Sequence, residues 1–219
     1  MHSGEDTVIA IVDYGMGNVG AIHNMFRRIG VESVVTDSVD NIRAADQLIL
    51  PGVGAFDAGM ERINSSGLRD VLDEKVIQGQ TPVLGICLGM QLLCTHSEEG
   101  DLPGLGWLDA ATVRFSISDV EQPKRKIPHM GWNSVSAATD SPLFAGFEAD
   151  PRFYFVHSFH VVCEQAEDIA GTVTYGTTVT AAVRKNHIFG VQFHPEKSHK
   201  YGMNLLRSFA GISKTQQGS

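Results

Sequence analysis

Residues 85–89 read Gly85-Ile86-Cys87-Leu88-Gly89, directly after the apolar run Pro82-Val83-Leu84. A nucleophilic side chain with a glycine two residues to either side is the pattern of a nucleophile elbow, here with cysteine in place of serine. The pattern constrains the fold. It needs a strand that feeds straight into a helix through a turn so tight that glycine stands on both sides of it. The side chain then leaves the sheet for a cleft, and free N–H groups of the new helix face the spot where an oxyanion would form. A buried structural cysteine in a glycine-rich turn satisfies the same five residues, so the pentapeptide alone leaves both readings open.

The first half of the chain supplies the sheet that such an elbow requires. Val8–Val12 is a continuous apolar run and reads as a buried parallel strand. Val19, Ile22, Met25, Phe26 and Ile29 recur at helical spacing over 18–29, and Gly30 stops that helix. Strands are expected at 32–36, 47–50 and 82–86, helices over about 57–78 and 88–97. Alternation of strand and helix with short glycine turns predicts a doubly covered parallel sheet. The second half reads as shorter strands at 108–115, 124–128, 132–136, 153–163, 169–175, 179–184 and 188–193, then a helix over about 198–211. The predicted class is α/β: three layers around an open, mixed, mainly parallel sheet. One domain over 8–212 is expected, with 1–7 and 213–219 as disordered ends.

Composition excludes several functions. Seventeen Lys and Arg against 25 Asp and Glu give a net charge of −8, which argues against nucleic acid or an anionic membrane as partner. The three cysteines, Cys87, Cys94 and Cys163, lack C-x-x-C spacing, so neither a disulfide framework nor a zinc site is indicated, and no metal or cofactor is expected. A reducing, cytoplasmic setting fits, with no signal peptide or membrane span expected. One motif points elsewhere. Gly15-Met16-Gly17-Asn18-Val19-Gly20 matches G-x-G-x-x-G after a strand, with Asp37 near the end of the next one, as in a dinucleotide fingerprint.

A cysteine nucleophile needs a base, and the base needs an orienting partner. Phe193-His194-Pro195-Glu196 offers both, because residues two apart in extended backbone share a side. Gly190-Val191-Gln192-Phe193 is a strand candidate that places His194 at a strand's C-terminal end, where α/β folds build their sites. Pro51-Gly52-Val53-Gly54 also follows a strand and is able to present a backbone N–H to an oxyanion. Each feature has an ordinary structural reading; an elbow, an H-x-E pair and a donor loop on strand ends of one sheet make a catalytic site the better one.

From about residue 8 to 211 the chain resembles the class I (triad) glutamine amidotransferases. Within them it is most similar to the glutaminase subunits of imidazole glycerol phosphate synthase. The carriers are DYGMGN at 13–18, PGVGAF at 51–56, GICLGMQLL at 85–93, PHMGWN at 128–133, YFVHS at 154–158 and QFHPEKS at 192–198. The resemblance implies Cys87 as nucleophile, His194 as acid and base and Glu196 as its orienter. It places the oxyanion between Leu88 and the Gly52–Val53 loop. It further implies Gly54, Gln91, Glu99, His157, Ser158 and Phe159 around bound glutamine, and Met16, Asn18, Trp132 and Lys197 toward the ammonia entrance of a partner subunit. Phe159 lacks the hydroxyl that relatives often carry there, and contacts at that position are expected through the backbone. The implied partner is a (β/α)₈ cyclase subunit in a heterodimer that makes imidazole glycerol phosphate and AICAR for histidine biosynthesis. The resemblance also removes the dinucleotide reading of residues 15–20. An amidotransferase subunit of another pathway, a dinucleotide oxidoreductase and an inactive scaffold are the competing functions.

Overall fold

The computed structural model describes residues 7–116, 126–147 and 151–213. The first half alternates strand and helix: β1 (Ile9–Val12), α1 (Val19–Arg28), β2 (Ser33–Thr36), α2 (Val39–Ala44), β3 (Gln47–Gly52), α3 (Phe56–Ser65), α4 (Leu68–Asp73), β4 (Val83–Cys87) and α5 (Leu88–Leu92). The second half is β5 (His96–Ser97), β6 (Ala110–Arg114), β7 (His129–Ser134), β8 (Ser136–Ala137), β9 (Arg152–His157), β10 (Phe159–Cys163), β11 (Ile169–Tyr175), β12 (Thr177–Lys185), β13 (Ile188–Val191) and α6 (His199–Ala210).

Eight strands form the main sheet in the order β2-β1-β3-β4-β13-β12-β11-β8. The pairs from β2 through β13 are parallel, and β12, β11 and β8 add antiparallel. The sheet is thus mixed and mainly parallel, as expected. Period-2 alternation sends each central strand into two cores. Ile9 and Ile11 pack with α1 and α6 through Ile22, Phe26, Leu205 and Phe209. Ala10 and Val12 pack with α3, α4 and α5 through Phe56, Met60, Leu72 and Leu92. Three layers result, and the parallel strands all end on one edge. There β3 stops at Gly52, β4 at Cys87 and β13 just before Gln192. Two smaller sheets, β10-β6-β5 and β7-β9, build a wall beside that edge.

Several expected boundaries move, each for a visible reason. The helix expected over 57–78 breaks at Gly67, which takes a left-handed φ of 75°, into α3 and α4, and closes in a π-helical turn at Glu74–Gln78. The helix expected over 88–97 ends at Leu92, because the returning loop takes the carbonyls a longer helix would use. Leu105 donates to Leu92, Trp107 to Leu93 and Gly106 to Cys94. The strand expected over 153–163 is two strands, pairing first with β7 and then, after Ser158, with β6. Helix α2 was not expected; Ser38 starts it by accepting the Asn41 N–H. Of the strand expected at 124–128, residues 126–128 are irregular backbone leading into β7 and 124–125 lie outside the described residues, as do the ends expected to be disordered, apart from Thr7 and Ser213.

Candidate active site

Cys87 ends β4 and begins α5 with φ 55° and ψ −110°, a conformation that a side chain rarely adopts. The flanking glycines make this turn possible by close approach. A Cβ on Gly85 would lie 2.7 Å from the Gly89 carbonyl oxygen, and one on Gly89 would run into the Leu50 carbonyl of β3. The turn is thus wedged between its own helix and the neighbouring strand, and the Cys87 thiol is turned toward the pocket. This pocket, about 530 Å³, is lined by Val53, Gly54, Cys87, Leu88, Gln91, Glu99, Pro128, Val156, His157, Ser158, Phe159, His194 and Lys197.

His194 and Glu196 meet as expected, but not as strand residues two apart. His194 is extended, and Pro195–Lys197 makes one 3₁₀ turn that folds Glu196 back. His194 Nδ1 lies 2.8 Å from Glu196 Oε1, with both side chains 2% exposed. That bond leaves Nε2 of His194 toward Cys87, with no hydrogen bond of ordinary geometry to any described residue. Burial opposes a charge on the imidazole. Hydrogen bonding and attraction from Cys87 and Glu196 outweigh it and raise His194 to about 9. A cysteine beside a raised, Glu196-backed imidazole is the arrangement in which a base can activate the nucleophile. By contrast, burial pushes the thiols of Cys94 and Cys163 up to about 12, as for structural cysteines.

Ser198 holds the His194 backbone in place. Its Oγ donates to the His194 carbonyl at 2.6 Å and accepts the Tyr154 N–H at 3.0 Å, tying β9 to the His194 segment. The sequence shows Ser198 within the H-P-E-K-S segment but gives it no task, because its partner lies 44 residues away. Tyr14 was missed for the same reason. Its hydroxyl donates to the Pro51 carbonyl at 2.6 Å and backs the Gly52–Gly54 loop. Burial first, then a thiolate at Cys87, pushes the Tyr14 phenol well above its ordinary range.

The pocket's far wall is a run of hydrogen bonds. His157 Nδ1 donates to the Phe159 carbonyl at 2.7 Å. Its Nε2 therefore accepts, from His129 Nδ1 at 2.9 Å. Burial first, then His129, lowers His157 to about 3, so this imidazole stays neutral. Gln91 donates to the Phe159 carbonyl at 3.3 Å, which puts the backbone, not the ring, at the polar contact of that position. Glu99 lines the pocket with its Oε2 held by the Phe56 N–H of α3 at 2.9 Å. Gly52 does not line the pocket; it sits behind Val53, packed on Tyr14 and Leu88.

The residues expected at a partner lie outside the pocket, apart from Lys197. Trp132, 40% exposed, stacks on His199 with ring centroids 5.6 Å apart, and Met130 beside it is 60% exposed. Lys197 Nζ lies 5.7 Å over the Tyr154 ring. Met16 reaches the Gly54 loop, while Asn18 caps α1 through the Ala21 N–H. The G-x-G-x-x-G geometry also differs from a dinucleotide site. The last glycine of such a motif exists for close helix–strand packing, yet a Cβ on Gly20 would meet nothing within 4 Å. Gly17 instead packs on Pro51.

A strained cysteine on a strand-to-helix elbow and a histidine bound to a buried glutamate thus line one pocket. Residues 10–211 match the family model of class-I glutamine amidotransferases, and the chain belongs to that family. Among its relatives, a Methanococcus maripaludis protein named imidazole glycerol phosphate synthase subunit HisH 2 is 52% identical over 92% of this chain and 98% of its own length. A protein of the same name from Pseudomonas aeruginosa is 50% identical over 94% of this chain and all of its own. The fold is shared more widely. The solved structure of PurLQS from Thermotoga maritima superposes with a TM-score of 0.68 at 20% identity, covering 93% of this chain and 97% of the matched one.

Proposed function

We propose that this chain hydrolyses glutamine to glutamate and ammonia and passes the ammonia to the cyclase subunit of imidazole glycerol phosphate synthase, in histidine biosynthesis. The observation that carries the chemistry is that Cys87 and His194, the latter bound to Glu196, line the same 530 Å³ pocket. The Cys87 thiolate attacks the side-chain amide carbon of glutamine. The oxyanion is held by backbone N–H groups of Leu88 and the Gly52–Val53 loop. Imidazolium His194 protonates the departing nitrogen, and the C–N bond breaks to leave a γ-glutamyl thioester. Neutral His194 then takes a proton from water, the hydroxide adds, and the thiolate leaves with glutamate. Gln91, Glu99 and the 157–159 segment hold the amino-acid head group, with Gly54 closing the loop side.

Free ammonia is largely protonated at neutral pH and so not nucleophilic, which favours direct delivery. The surface fits delivery to a docked partner. Lys197 lines the pocket and lies over the Tyr154 ring, which Trp132 also meets edge-on, with Met130 exposed two residues before it; an aromatic with a cation nearby suits a binding hot spot. We assign the partner as a (β/α)₈ cyclase in a one-to-one heterodimer in the cytoplasm, with Met16 and Asn18 at the rim. The 8–212 unit serves as a single amidotransferase domain.

The test is a glutaminase assay with and without the cognate cyclase and its nucleotide substrate. Turnover is expected to be weak alone and to rise in the complex. Cys87→Ala should lower glutamine-dependent synthesis by at least about 10⁴-fold while added ammonium salts still support the cyclase. Retained glutamine hydrolysis in Cys87→Ala would remove Cys87 as nucleophile.

A further inference from the structure

The side chain of Gln192, one residue past β13, is wholly buried beside the nucleophile and has no part in the chemistry above. Its amide lies between two groups. Gln91 Nε2 is 3.1 Å from Gln192 Oε1, and Gln192 Nε2 is 3.7 Å from Cys87 Sγ. Amide orientation follows from the network itself. The Phe159 carbonyl accepts only, so the amide end of Gln91 facing it is the NH₂ group. That same nitrogen faces Gln192, whose near atom must then be oxygen. Its NH₂ is left pointing at the sulfur. One backbone carbonyl thus fixes the polarity of both amides and delivers an N–H donor to Cys87.

We propose that Gln192 acts in the reaction as the hydrogen-bond donor that holds the Cys87 sulfur as a thiolate and aims it at the substrate carbon. The proposal rests on Cys87 being the nucleophile. An N–H donor favours sulfur carrying negative charge over neutral sulfur. It thus favours the attacking thiolate and the thiolate expelled when the thioester is hydrolysed. The thiol proton goes to His194 Nε2, and no bond to Gln192 forms or breaks. The other charged or titratable groups around Cys87 are Tyr14 from the β1–α1 loop, His194 backed by Glu196, His157 from β9, and Glu99 and Lys197 on the pocket wall. Gln192 Nε2 is a hydrogen-bond donor to the Cys87 sulfur, whereas His194 Nε2 makes no such bond of ordinary geometry, so Gln192 supplies a donor that remains when His194 hands its proton to the leaving group.

The experiment is the pH profile of Cys87 alkylation by neutral iodoacetamide in the full chain, read by mass spectrometry of the Cys87 peptide so that Cys94 and Cys163 do not interfere. In Gln192→Leu the labelling midpoint should move up by about one pH unit, and turnover with the cyclase should fall about tenfold. Gln192→Glu, nearly the same shape but without the donor, should move the midpoint further in the same direction, and serves if the leucine variant does not fold. A profile that superimposes on the unsubstituted protein in either folded variant overturns the proposal and reduces Gln192 to packing. Failure of Cys87 to label in the unsubstituted protein strikes the nucleophile reading instead, so the two failures are separable.

Discussion

The two sides of the pocket are built to opposite rules. On the base side, His194 and Glu196 are 2% exposed at their side chains, joined to each other, and pinned to β9 through Ser198. On the loop side, Val53 is 44% exposed, and Gly54 carries a φ of 112° between Gly52 and an N-terminal α3 position held by Glu99. The base side has its geometry fixed by burial and hydrogen bonds that any movement would break. The loop side has glycine freedom and little cover, and it is anchored from below by the Tyr14–Pro51 bond. The contrast teaches where regulation would act under the proposed function: the groups assigned to proton transfer are already held together, whereas the assigned oxyanion donors sit on an exposed loop.

Three changes would break or sharpen that contrast. The largest effect is expected from the rigid side. Glu196→Gln keeps the shape but removes the carboxylate that fixes the His194 tautomer, and glutamine turnover should drop on the order of 10³ to 10⁴-fold. The same variant tests the electrostatics. Because His194 is raised from 6.5 to about 9 in the folded protein, its stabilising contribution is fully present below 6.5 and is lost as pH rises through 9. The stability gap between unsubstituted protein and Glu196→Gln should therefore narrow over that range in urea unfolding.

A smaller effect is expected from the loop. Gly54→Ala forces a side chain into a left-handed conformation and against Met16 Cε, which a built Cβ would approach to 2.8 Å. Turnover in the complex should fall about tenfold, while iodoacetamide labelling of Cys87 is unchanged; a loss of labelling would mean the two sides are not independent. The last change bears on stability in acid. His157 is lowered to about 3, so between 6.5 and 3 the unfolded chain binds a proton that the folded chain refuses, and stability falls on acidification. His157→Asn, whose amide still reaches the Phe159 carbonyl, should flatten that fall by up to about 1.4 kcal/mol per pH unit, measured by chemical denaturation at several pH values.

Much of the catalytic site is legible in the sequence because its geometry is local. Gly85-Ile86-Cys87-Leu88-Gly89 and His194-Pro195-Glu196 each carry their own turn, so neighbours along the chain decide where the side chains go. Even there the expected backbone of the second is corrected: a 3₁₀ turn, not an extended strand, brings Glu196 to His194. A mainly parallel sheet covered by helices on both faces also followed from the alternation of strand and helix patterns, whereas the order of its strands did not. Contacts across elements did not. Ser198 with Tyr154, Tyr14 with Pro51, and Gln192 with Gln91 are pairs of ordinary polar residues whose meaning appears only when distant segments meet. The early end of α5 belongs with these, since the loop that claims its carbonyls lies 12 or more residues onward.

The chain carries two tryptophans, and they sit in opposite surroundings. Trp107 is 4% exposed, with its indole N–H bound to Asp73 at 2.6 Å, whereas Trp132 is 40% exposed on the face proposed for docking. Intrinsic fluorescence therefore holds a constant blue component from the interior and a water-sensitive red component from that face. The molecule comes with its own optical reporter of complex formation, needing no dye.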